Sequence, residues 1–117
     1  MSTKKKTAVI VIPTYNEVDV IGKTLNHLFQ KTLPKIKDWT VKVLVVDDTS
    51  PEGTYKVVQK LQKKYKNLEL YLNKNKAGIG GAYVVAFKYA MKKMAADVII
   101  EFDSDLQHPP ETIPVML

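Results

Sequence analysis

The stretch Ala8-Val9-Ile10-Val11-Ile12, closed by Pro13-Thr14, decides how the rest of the chain is read. It is apolar without a break, and every residue after Ala8 is β-branched. A strand with one wet face alternates apolar and polar residues, whereas a continuous run needs cover on both faces, the condition inside a parallel sheet. Outward from it, strand-like runs follow at 41–46, 68–72 and 97–102, with helical periodicity between them. A helix is expected over about 17–31, capped by Asn16 with Asp19 in a capping-box-like pair, burying Ile21, Leu25, Leu28 and Phe29. A second is expected to start with Ser50 as cap and Pro51 at its first position, burying Val57, Val58, Leu61 and Tyr65. A third comes after the glycine-bearing turn at 73–81 and runs to about Met94, where Ala82, Ala86 and Ala90 offer a small-residue face. Strands alternating with helices define an α/β chain.

The run 68–72 alternates strictly, Leu68, Leu70 and Leu72 against Glu69 and Tyr71, which suits an edge position. With right-handed crossovers, an edge third strand and a doubly covered first strand give the order 3-2-1-4. That order puts a switch point between strands 1 and 4, and ligands of open α/β sheets bind beyond the carboxyl ends of strands at such a point. The site is therefore expected in the segments immediately after Ile12, Val46 and Phe102.

Composition narrows the function. The 117 residues form one domain, 1–117, and 45% hydrophobic content is ordinary for a globular protein. There is no cysteine, which excludes disulfides and thiolate metal sites and fits a reducing, cytoplasmic setting. The net charge of +6 rests on lysine alone, for the chain has no arginine. Without arginine's bidentate fork a dedicated nucleic-acid reader is disfavoured. Lysines at 4–6, 63–64 and 92–93 read as solvated surface. No apolar run approaches the ~20 residues of a membrane span, and the short apolar start closed by Pro13 is a strand rather than a signal peptide.

Five carboxylates gather at the expected strand ends: Glu17, the pair Asp47-Asp48, and Asp103 and Asp105. Like charges so placed need a cation or hydrogen-bond donors to offset them. In extended chain Asp103 and Asp105 lie ~7 Å apart on one face, and a divalent cation takes one or two such carboxylates and fills its shell with phosphate oxygens and water. Tyr15 can stack on a base, and His108 is a further candidate near the acids. His27 reads as surface and Trp39 as the anchor of strand 2. Gly78-Ile79-Gly80-Gly81 lacks the spacing and position of a dinucleotide fingerprint, yet it can present N–H groups at a helix start, with Lys74 or Lys76 near a phosphate. A response-regulator receiver domain needs acids after the first and third strands, where Pro13-Thr14 and Asn73-Lys74 stand. A haloacid-dehalogenase-type phosphatase opens with its D-x-D, which here comes near the end.

The strings Val11-Ile12-Pro13-Thr14-Tyr15-Asn16-Glu17, Val45-Val46-Asp47-Asp48-Thr49-Ser50-Pro51-Glu52-Gly53-Thr54, Gly78-Ile79-Gly80-Gly81-Ala82-Tyr83 and Asp103-Ser104-Asp105-Leu106-Gln107-His108-Pro109-Pro110 resemble, in order, the dolichyl-phosphate mannose synthases, which are GT-A-fold, family-2 glycosyltransferases. The resemblance implies a three-layer, Rossmann-like nucleotide-sugar-binding domain. It implies that Pro13, Tyr15 and Glu17 hold the nucleoside and that Val46 and Asp48 line the base and ribose pocket. Asp103, Ser104, Asp105 and Gln107 would surround the diphosphate, with Asp103 and Asp105 catalytic and Asp103, Asp105 and Gln107 ligating Mg²⁺ or Mn²⁺. Ser104 stands where such synthases more often carry alanine.

The implied reaction is inverting transfer of a hexose, mannose from GDP-mannose, to dolichyl or polyprenyl phosphate, with peripheral membrane contact through the lipid. A phosphate monoester has its second pKa near ~6, so this acceptor needs no general base at neutral pH. The chain stops soon after the D-x-D and has no arginine to clamp a diphosphate, so a truncated donor-binding part is expected, with self-association through the outer edge of strand 4. The competing reading is a nucleotide-sugar-binding fragment inactive without an acceptor-binding half.

Overall fold

The computed structural model of the chain describes residues 6–14, 18–47, 53–72 and 78–102, with backbone alone at 18–19, 78–83 and 85. Four strands form one parallel sheet: β1 (Lys6–Thr14), β2 (Trp39–Asp47), β3 (Leu68–Leu72) and β4 (Val98–Glu101), in the order β3-β2-β1-β4. The expected order is the order found. Three α-helices connect the strands: α1 (Val18–His27), α2 (Thr54–Gln62) and α3 (Gly78–Lys93).

Two cores, one on each face, account for the continuous apolar reading of β1. Ile10, Ile12, Val43 and Val45 face Ile21, Leu25 and Leu28 of the first helical stretch and Val58 of α2. Val9, Val11, Leu44 and Val46 face Ala86, Ala90 and Met94 on the α3 side. All five residues from Ala8 to Ile12 are fully buried. Each of the four β-branched side chains contributes roughly 1.5–3 kcal/mol over an exposed one, so the central strand is where burial concentrates stabilisation.

The elements depart from expectation in two places. The first helix does not stay α-helical to residue 31: after His27 it widens into a π-turn at Leu28–Thr32 and then a 3₁₀ turn at Leu33–Lys35. The Leu33 N–H reaches back to the Leu28 carbonyl, one residue further than an α-bond. Phe29 stacks on Tyr65 with ring centroids 4.3 Å apart, and Pro34 stands in the first positions of the 3₁₀ turn, where a missing N–H is tolerated. The second correction concerns α2, which begins at Thr54 with Gly53 at its cap, not with Ser50 and Pro51. Gly53 has φ of 81°, a left-handed conformation in which the α2 helix cannot include it, and Ser50 and Pro51 lie outside the described residues. Among the described residues no helix is long and apolar enough to cross a membrane.

Candidate functional site

The carboxyl ends of β1, β2 and β4 share one edge of the sheet. β1 and β2 stay paired to their last residues, which sets Pro13 beside Val46 and Thr14 beside Asp47. On the other side β4 pairs with β1 as far as Val11 and Glu101. The Phe102 N–H then donates to the Val11 carbonyl at 3.0 Å. Phe102, the residue before the D-x-D in sequence, is thus held beside Val11, three residues before the end of β1. The inferred switch point between β1 and β4 is real.

Each face of this edge has its own chemistry. On the α3 side, Pro13, Val46 and Tyr71 are neighbours in register, with Val46 buried and the other two half-buried. Tyr71 meets Tyr89 edge-on at 5.4 Å, and the Tyr89 hydroxyl donates to Glu69 at 3.2 Å. Burial first, and the Glu69 carboxylate second, raise the Tyr89 pKa above its ordinary value. On the α1/α2 side the last rung is polar: the Thr14 hydroxyl donates to Asp47 Oδ1 at 3.0 Å, with both residues buried.

Of the residues singled out from sequence, the structure brings Pro13 and Val46 together. Tyr15, Glu17, Asp48, Asp103, Ser104, Asp105 and Gln107 lie outside the described residues, as do Lys74, Lys76 and His108. Among the described residues no group of three or more His, Cys, Asp or Glu stands ready for a metal. As a donor set Asp103, Asp105 and Gln107 offer hard oxygens, which fits Mg²⁺ or Mn²⁺ rather than a thiophilic metal. His27, half-buried, ends α1, and Trp39 opens β2 packed against the larger core. The Thr14–Asp47 rung was not foreseen as a pair. Its signal was parity, for both are polar at positions that strand alternation assigns to the same buried face as Ile12 and Val45.

A groove of about 390 Å³, lined by Phe29, Leu33, Ile36, Trp39 and Asn67 among others, lies at the opposite pole, where β2 begins. It belongs to the other end of the sheet from the strand ends that carry the candidate residues.

The family model for glycosyl transferase family 2 matches residues 9–117. The chain belongs to that family. This family-2 chain is 36% identical over 108 residues to a dolichol-phosphate mannosyltransferase of Pyrococcus furiosus, covering 92% of the chain and 28% of that protein. It is 35% identical over 107 residues to an undecaprenyl-phosphate mannosyltransferase of Micrococcus luteus, covering 92% of the chain and 41% of the relative. In fold it is similar to a mannosyltransferase from Pyrobaculum calidifontis solved with GDP-Man and Mn²⁺, with a TM-score of 0.72 at 22% identity over 94% of this chain and 30% of the other. The GT-A arrangement expected from the sequence is therefore the one observed. The family-2 chain spans well under half the length of these relatives.

Proposed function

We propose that the chain is the donor-binding part of a glycosyltransferase that moves a hexose, mannose from GDP-mannose, to a polyprenyl or dolichyl phosphate. The observation that carries the reading is the shared carboxyl edge of β1, β2 and β4 at the switch point, with Pro13 and Val46 side by side. Segments 15–17, 48–52 and 103–107 continue directly from those three strand ends. Parallel strands also send the amino ends of their following helices toward this edge, and a helix amino end favours an anionic diphosphate.

In this reading Pro13, Tyr15 and Glu17 hold the nucleoside, and Val46 and Asp48 line the base and ribose. Asp103, Ser104, Asp105 and Gln107 surround the diphosphate, with Asp103, Asp105 and Gln107 holding Mg²⁺ or Mn²⁺. The cation supplies Lewis-acid stabilisation of the departing diphosphate. An acceptor phosphate oxygen forms the new bond to the sugar carbon from the face opposite the leaving group. The bond to the nucleoside diphosphate breaks with its electron pair going to that diphosphate, and the carbon is inverted. The lipid acceptor places the working protein at a membrane surface without requiring a span.

Calorimetric titration with GDP, GDP-mannose, UDP and UDP-glucose, with and without Mn²⁺, tests the reading. Metal-dependent binding with a guanine preference is expected, as is a loss of roughly 100-fold or more in Asp105→Ala, since a direct metal ligand is removed. A preference for UDP would change the donor and keep the site. Equal binding by the wild type and Asp105→Ala would remove the D-x-D from the site.

A further inference from the structure

We infer that Thr14 and Asp47 are positioning residues that fix the two nucleoside-binding segments relative to each other, an inference that rests on the donor-site reading above. The three rungs between β1 and β2 immediately below them on the same face are aliphatic: Ala8 with Val41, Ile10 with Val43, and Ile12 with Val45. At the last rung the pattern breaks, and a hydroxyl donates to a fully buried carboxylate across 3.0 Å.

Stability alone does not ask for this pair. Burying a carboxylate is costly even when donors meet it, and an aliphatic pair of similar volume does as well or better in a sheet interior. A hydrogen bond supplies what dispersion does not, a preferred distance and angle between two strands.

The place where that precision is needed coincides with the rung. Pro13, one residue earlier, has no N–H, but it shares the parity of Thr7 and Val11, whose carbonyls accept from Asp97 and Phe102 on the β4 side, so the β1–β2 ladder keeps its donors up to the rung. Thr14 is the last strand residue before segment 15–17, and Asp47 is the last before 48–52. Displacement at this rung is therefore passed to Tyr15 and Glu17 on one side and to Asp48 on the other. The diphosphate segment leaves from β4 and is not tied by the rung.

The test is calorimetric, with GDP and Mn²⁺ probing the whole site and Mn²⁺ with pyrophosphate probing the diphosphate segment alone. Melting temperatures are recorded beside each affinity. Thr14→Val keeps the shape and removes the donor, whereas Thr14→Ser keeps the donor. Thr14→Val is expected to bind GDP roughly tenfold more weakly, the scale of one charge-assisted hydrogen bond. Its pyrophosphate affinity is expected to hold, and Thr14→Ser to restore GDP binding. Unchanged GDP affinity in Thr14→Val, or equal losses for both ligands that simply track the melting temperature, would overturn the inference. If Thr14→Val does not fold, Asp47→Leu, which is close in shape and removes the acceptor, carries the same comparison, and a loss selective for GDP is again the expected result. Failure of the unsubstituted protein to bind GDP or UDP at all would overturn the donor-site reading itself, and the inference with it.

Discussion

Among the described residues the Thr32 hydroxyl is buried without a hydrogen-bond partner, in the turn where the first helix widens. A desolvated hydroxyl that makes no bond is a net cost, and valine has nearly its shape without that atom. Thr32→Val is expected to stabilise the protein by about 1 kcal/mol, read as a higher urea midpoint with an unchanged slope; a lower midpoint would show that the hydroxyl is bonded. At this scale the legibility of the sequence was uneven. Pro13 and Val46 could be placed because each closes an apolar run that reads as a central strand. Thr14 and Asp47 follow those runs, and nothing local to either strand marks them as partners. Cross-strand register, which pairs them, is not written in either strand alone.

Gly53 and the π-turn show what element-level reading can and cannot reach. Strand β3 was legible to the residue because its alternation starts and stops with Leu68 and Leu72. The buried stripe of α1 was equally legible, since Ile21, Leu25 and Leu28 repeat at helical spacing and all three are fully buried. The widening after His27 was not, because it accompanies a tertiary contact, Phe29 on Tyr65, between residues far apart in the chain. Ser50-Pro51 is a sound start signal by local rules, yet the left-handed backbone of Gly53 defers the helix to Thr54. A side chain at Gly53 would meet no backbone, only the flexible Lys56 side chain at 3.4 Å, so the cost of substitution is conformational. Gly53→Ala is expected to destabilise by about 1–2 kcal/mol, measured by thermal or chemical denaturation; a neutral result would mean that the segment readily adopts another turn.

The whole molecule is polarised along its strands. Helices α2 and α3 and the turns after α1 carry lysines in their last turns, at Lys60, Lys92, Lys93, Lys31 and Lys35, where cations suit the negative end of a helix. Asp47 stands at the opposite pole, at the carboxyl end of β2. The strand order was legible in the sequence because one doubly buried strand and one alternating edge strand leave few right-handed arrangements. The geometry of the other acids was not, since it depends on segments outside the described residues.

Everything proposed for the site comes down to place: a nucleoside diphosphate binds at the carboxyl edge between β1 and β4. The decisive measurement is a map of amide shifts in the isotopically labelled protein during titration with GDP and Mg²⁺. Shifts are expected to concentrate in residues 13–17, 46–48 and 101–107, with those around Phe29 and Trp39 left unmoved. Shifts centred on the groove at that opposite pole, with the strand ends silent, would place the ligand elsewhere and refute the assignment.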